Sequence, residues 1–153
     1  MAYPTFVSRD IDAPAEKVWG LVSDLPRMGE WSPENTGGKW TKGSTGPAVG
    51  ATFTGSNRNG WRRWSTLVTV VDCDPAKVFE IAVTFGPTSL PVSNWRYEFE
   101  DTAGGCRVTE SWDDHRKSWM KVLARPAGDH SAVHAKGEMT ATLDNLARAA
   151  EAG

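Results

Sequence analysis

The stretch WRYEFEDTAGGCRVTESW (95–112) constrains the fold more than any other part of the chain. Trp95, Tyr97 and Phe99 alternate with Arg96, Glu98 and Glu100, the period-two pattern of a strand with one covered face and one wet face. Ala103-Gly104-Gly105 supplies a turn, and the chain resumes in the same pattern. With two or four residues in the loop, Val108, Glu110 and Trp112 join the covered face. A slip of two residues leaves that assignment intact, because only parity matters. This hairpin therefore carries a carboxylate into an aromatic face.

A second hairpin is marked by Asn59-Gly60 in SNRNGWRRW, a pair suited to a two-residue turn. It places Ala51, Phe53, Gly55, Trp64, Thr66, Val68 and Val70 on one face and Thr52, Thr54, Ser56, Arg63 and Ser65 on the other, with Leu67 the exception. Asp74-Pro75 leads into KVFEIAVTFG, where Phe79, Ile81, Val83 and Phe85 alternate with Val78, Glu80, Ala82 and Thr84. Residues 3–11 read as a strand ended by Asp12-Ala13-Pro14. Asp12 is the expected N-cap of a helix beginning PAEKVWGLVSDL, whose stripe is Val18, Leu21, Val22 and Leu25. One short helical turn is expected in LPRMGEWSPE (25–34), between Pro26 and Pro33, and residues 36–50 are glycine-rich and loop-like. Residues 131–150 form a helix about 30 Å long, with Ala132, Ala135, Met139, Leu143, Leu146 and Ala150 on one stripe. The chain is thus α+β: strand, two helical pieces, a meander of about six strands, and a long helix laid across the concave face of the sheet.

Composition narrows the possible roles. A chain of 153 residues fits one domain, residues 1–153. A net charge of -2 with interspersed signs implies neither nucleic acid nor an anionic membrane as partner. RNGWRR is basic and aromatic, but it is a single hairpin tip, with Trp61 on the outer face or over the tip. No apolar run approaches a membrane span, and the two cysteines lack CxxC spacing, so a cytoplasmic location is expected. The eight tryptophans are the unusual feature, either a bulky core or the lining of a cavity.

The segments IDAPAEKVWGLVSDLPRMGEWSP, GATFTGSNRNGWRRWSTLVTVVDCDP and WRYEFEDTAGGCRVTESW resemble the SRPBCC superfamily (START-like, helix-grip). Within it the chain is similar to the polyketide cyclase/dehydrase and lipid transport group. The resemblance covers nearly the whole chain and implies a curved antiparallel sheet of about six to seven strands gripping the C-terminal helix. It further implies a deep, mostly apolar cavity between them. In that setting Met28 and Trp31 either cover the cavity mouth or seal the open edge of the sheet as core. The expected lining is Met28, Trp31, Phe53, Trp64, Phe85, Trp95, Tyr97, Trp112, Trp119 and Met139.

Three functions fit such a fold: binding of a small hydrophobic molecule, polyketide cyclisation or dehydration by acid/base groups, or non-catalytic protein interaction. The chain is expected to act as a monomer or homodimer. Burial of apolar ligand surface drives the first of these functions, at about 25 cal/mol per Å². Acid/base chemistry falls to Glu110, with His115 at the end of the last strand, or Tyr97, beside it. Glu110 is either a desolvated acid with a raised pKa or a strut paired with an inward-turned Arg9 or another arginine. His130, His134 and Glu138 have zinc-like i, i+4, i+8 spacing, but both histidines lie opposite the apolar stripe and are expected to face solvent. GxSxG, HExxH, GxGxxG and phosphate-loop motifs are absent, so neither a metal nor a cofactor is expected.

Overall fold

The computed structural model describes residues 2–85, 88–124 and 131–152. Strand β1 (Thr5–Ile11) leads to helix α1 (Ala15–Ser23) and a 3₁₀ segment (Leu25–Glu30). Six strands follow: β2 (Asn35–Thr41), β3 (Thr52–Asn59), β4 (Arg62–Asp74), β5 (Val78–Phe85), β6 (Pro91–Thr102) and β7 (Gly105–Asp114). Helices α2 (Ser118–Ala124) and α3 (Ala132–Glu151) close the chain. The strands form one curved antiparallel sheet in the order β1-β7-β6-β5-β4-β3-β2. Helix α3 packs on β1, β7 and α1, which is the helix-grip arrangement.

Local chemistry explains where expectation and structure part. The N-cap of α1 is Pro14 rather than Asp12, and no side chain caps the helix. The Asp12 amide instead donates to Glu151 Oε2 at 2.9 Å, tying the loop to the far end of α3. Part of the glycine-rich segment is not loop but strand β2. Its glycines serve close approach: Gly38 has φ +148°, and a Cβ there would lie 2.0 Å from the Thr54 carbonyl oxygen. The Asn59-Gly60 hairpin turns one residue later than expected, with Asn59 opposite Arg62 and Gly60-Trp61 as the loop. Gly60 takes the positive φ that this tight loop demands. That shift moves the register by two, so the faces keep their assignment.

The covered face follows from parity. Phe53 pairs with Val68, which pairs with Val83, while Ile81 pairs with Trp95, which pairs with Trp112. The 95–112 hairpin has the two-residue loop Ala103-Gly104, setting Tyr97 opposite Glu110 and Phe99 opposite Val108. One half of the concave face is dry. There Ile11, Val18, Val22, Phe53, Phe79, Phe99, Val108, Leu143 and Leu146 form a continuous buried cluster. Each such side chain contributes about 1.5–3 kcal/mol by leaving water. The expected α3 stripe is buried at every position but Ala132. The other half of the face, around Trp112, Ala135 and Met139, forms a separate and smaller cluster.

Candidate functional site

Glu110 stands where the two halves meet. Strand alternation carries its carboxylate inward, where it is only 2% exposed. The Tyr97 hydroxyl, directly opposite in the register, donates to Glu110 Oε2 at 2.8 Å. Oε1 is buried with no hydrogen-bond partner among the described residues. Arg9, the cation that could have turned Glu110 into a strut, pairs with Asp144 of α3 instead. Burial therefore dominates and pushes Glu110 up to about 8, against the opposing pull of the Tyr97 hydrogen bond. Burial and the facing carboxylate likewise raise Tyr97 well above an ordinary phenol.

Aromatic and polar groups surround this pair. Trp95 and Trp112 stack at a tilt with ring centroids 6.1 Å apart, and Trp95 Nε1 donates to Ser93 Oγ at 3.1 Å. Met139 is buried against Trp112. Trp64 is half-buried on the same face, where Asn57 Nδ2 donates to Thr66 Oγ1 at 3.3 Å. Phe85 shares that face at its outer end and is 50% exposed. Phe53 lies deeper, edge-on to Trp40.

The remaining expected residues scatter. Trp31 is 2% exposed and belongs, with Met28, to the main core cluster, and its carbonyl accepts from Asn145 Nδ2 at 2.9 Å. Of the two positions open to it, Trp31 takes the edge-sealing one. His115 is not brought to Glu110. Residues 113 and 115 fall on the opposite parity from Glu110 and Trp112, and His115 Nε2 rests 3.2 Å from Asp113 Oδ2, largely in solvent. Trp119 is half-exposed on α2, beside the exposed Val122 and Leu123. His130 lies outside the described residues.

One cluster escaped the sequence reading. His134 does not face open solvent: its Nε2 sits 2.8 Å from Glu34 Oε1 and 2.5 Å from Glu138 Oε1. Residues 134 and 138 share a helix face by their i, i+4 spacing. Glu34 arrives from the loop before β2, its own carbonyl accepting from the Arg58 amide at 2.8 Å. Burial first, then the facing Glu34 carboxylate, then the charge of Glu110 all push Glu138 above the ordinary carboxylate range. The i, i+4 pair was legible in the sequence, but the loop that covers it was not.

The outer face offers a contrast. Glu80 is also buried, yet it accepts from Arg96 Nη1 at 2.8 Å, the Tyr3 hydroxyl at 2.7 Å and Asn94 Nδ2 at 2.8 Å. Burial pushes it up, but those three donors overcome the push and hold it below the ordinary carboxylate value.

Known proteins agree with this architecture. The family described as "Polyketide cyclase / dehydrase and lipid transport" matches residues 6–151. No curated protein matches the sequence. Among solved structures, the chain is similar to a polyketide-cyclase-like protein from Corynebacterium glutamicum, with 32% identity over 96% of this chain and 86% of that one and a TM-score of 0.53. The di-domain ARO/CYC StfQ from the steffimycin biosynthetic pathway shares the fold, with a TM-score of 0.72 at 12% identity. That match covers 96% of this chain and 50% of StfQ. A Chromobacterium violaceum protein also shares it, with a TM-score of 0.71 at 12% identity over 95% and 96% of the two chains. With the family matched from β1 to the last turn of α3, and with a relative at 32% identity, this chain belongs to the polyketide cyclase/dehydrase and lipid transport family.

Proposed function

We propose that the inner face bounded by Trp64, Phe85, Trp95, Trp112 and Met139 binds a small, largely apolar molecule of aromatic or polyketide type. One observation carries this reading. Glu110 is a buried carboxyl on an aromatic face, with one oxygen held by Tyr97 and the other free of any partner among the described residues. Leaving a buried polar atom unmatched costs about 1–3 kcal/mol, a cost removed when a guest supplies the missing hydrogen bond. The surrounding rings supply apolar contact, and the Glu110–Tyr97 pair orients a hydroxyl or carbonyl of the guest. The family description and the likeness to an ARO/CYC protein support the polyketide class of guest.

A second reading, acid/base catalysis, draws on the same carboxyl. With its pKa pushed up to about 8, Glu110 is mostly protonated at neutral pH. It can donate to a carbonyl oxygen of a folded polyketone as a carbon of the same molecule attacks that carbonyl. The resulting carboxylate then takes the proton that the attacking carbon sheds. Carbon–carbon bond formation and proton return balance without a cofactor.

Titration with a hydroxynaphthoate and with a long-chain fatty acid, read by tryptophan emission, tests the binding reading. Saturable quenching is expected, and Glu110→Gln should weaken the hydroxynaphthoate several-fold more than the fatty acid. The absence of saturable quenching by either probe would contradict it.

A further inference from the structure

We propose that Glu34, His134 and Glu138 form a binding site for one divalent transition-metal ion of the zinc type, at the end of α3 nearest the loop before β2. The proposal goes beyond the binding of an apolar guest and does not depend on it.

Geometry comes first. One imidazole nitrogen and two carboxylate oxygens from these residues lie within 4.8 Å of one another. Zinc bonds nitrogen and oxygen ligands at about 2.0–2.2 Å, which draws neighbouring ligand atoms to roughly 3–3.5 Å apart. His134 Nε2 is already 2.8 and 2.5 Å from its two carboxylate neighbours, so small side-chain rotations make room for an ion at the centre. The donor set, one borderline nitrogen and two hard oxygens, suits zinc, manganese or iron better than magnesium or calcium, which prefer oxygen alone.

The cluster is also held in place. Ser131 caps α3 by accepting from the His134 amide at 3.3 Å, which fixes the turn that presents the imidazole. The Arg58 amide holds the Glu34 carbonyl, and Asn145 of α3 holds the Trp31 carbonyl three residues earlier. The loop is therefore pinned to β3 at Glu34 and to α3 three residues before it. The side chains of Glu34, Glu138 and His134 are only 14%, 18% and 28% exposed, so an ion among them is partly shielded from water.

Charge points the same way. Two carboxyl groups meet one imidazole in a place partly shielded from water. A divalent cation compensates that excess of negative charge where protons otherwise must. Three protein ligands leave a coordination position open for water or a guest atom.

The test uses the full chain, stripped with a chelator and dialysed into metal-free buffer. Calorimetric titration with zinc, with bound metal counted by elemental analysis after dialysis, should give one ion per chain with a Kd of about 10 µM or tighter. Glu34→Gln, Glu138→Gln and His134→Ala should each weaken binding at least about ten-fold. His115→Ala should leave it unchanged. Cobalt loading should give visible d–d absorption that His134→Ala abolishes. Should His134→Ala fail to fold, the near-isosteric Glu34→Gln and Glu138→Gln decide the matter on their own. Less than about a tenth of an ion bound per wild-type chain at micromolar zinc, or equal affinity in these glutamine variants, overturns the proposal. Binding lost only in His115→Ala would place the ion on the outer face and overturn it equally.

Discussion

Glu80 and Glu110 are buried carboxyls on opposite faces of one sheet, and their surroundings differ in kind. Glu80 is met by a guanidinium, a phenol and an amide, and it stays ionised. Glu110 is met by one phenol and by tryptophan rings, and it takes up a proton near neutrality. A charge buried for structure is normally surrounded by partners, since an unmatched one is costly. The outer face obeys that rule, and the inner face breaks it. Departures of this kind concentrate where a protein does its work.

The first way to break the comparison is to give the outer carboxylate the isolation of the inner one. Arg96→Met removes the cation from Glu80, and unfolding by urea should show a loss of about 3 kcal/mol. The loss should shrink in the double variant with Glu80→Gln. A loss below about 1 kcal/mol, roughly the value for a solvent-exposed pair, would mean that Glu80 is not held by Arg96.

Acidity gives the next largest effect, and its sign differs between the two groups. Glu110 has a folded pKa raised from 4.5 to about 8. Its contribution to stability is fully present below about pH 4.5 and is lost as pH rises toward about 8, a fall on the order of a few kcal/mol. Glu80 has its folded pKa lowered, so its contribution is present above the ordinary 4.5 and is lost as pH falls through the folded value. Thermal unfolding of chelator-treated protein across this range should show both trends. Glu110→Gln should remove its own share of the upper one, the raised Glu138 supplying the rest.

Tyr97→Phe is a smaller change. It deletes the one hydrogen bond that opposes burial at Glu110, costing about 1 kcal/mol and raising the Glu110 pKa further. A downward shift would show that Tyr97 is not its donor. Smallest of all is Trp61→Ser. The ring is 83% exposed at the hairpin tip, with the Arg62 guanidinium over it, so stability should move by no more than about 0.5 kcal/mol.

Parity made the inner face legible. Glu110, Tyr97, Trp95 and Trp112 needed only alternation and a turn of even length, both robust to a register slip of two. The same rule, carried three residues past Trp112, would have put His115 outside beside Asp113. Strand β2 was hidden because glycines that allow close approach to Thr54 look like loop glycines in a sequence. Glu34 was hidden for another reason: its meeting with His134 joins residues 100 apart, and no local pattern encodes that distance. Trp31 had two places open to it, the cavity mouth or the sheet edge, and local pattern does not choose between them; it lies in the core.

What sets the two faces apart is a neutral acid at physiological pH on the inner one and a charged one on the outer. Carboxyl-carbon NMR on glutamate-labelled, chelator-treated protein tests it directly, with Glu110→Gln and Glu80→Gln assigning the two signals. The expected midpoint is about 8 for Glu110, and below the ordinary 4.5 for Glu80. A Glu110 midpoint at or below 4.5 would contradict it, because a carboxyl that ionises so readily has a partner or solvent that this structure denies it.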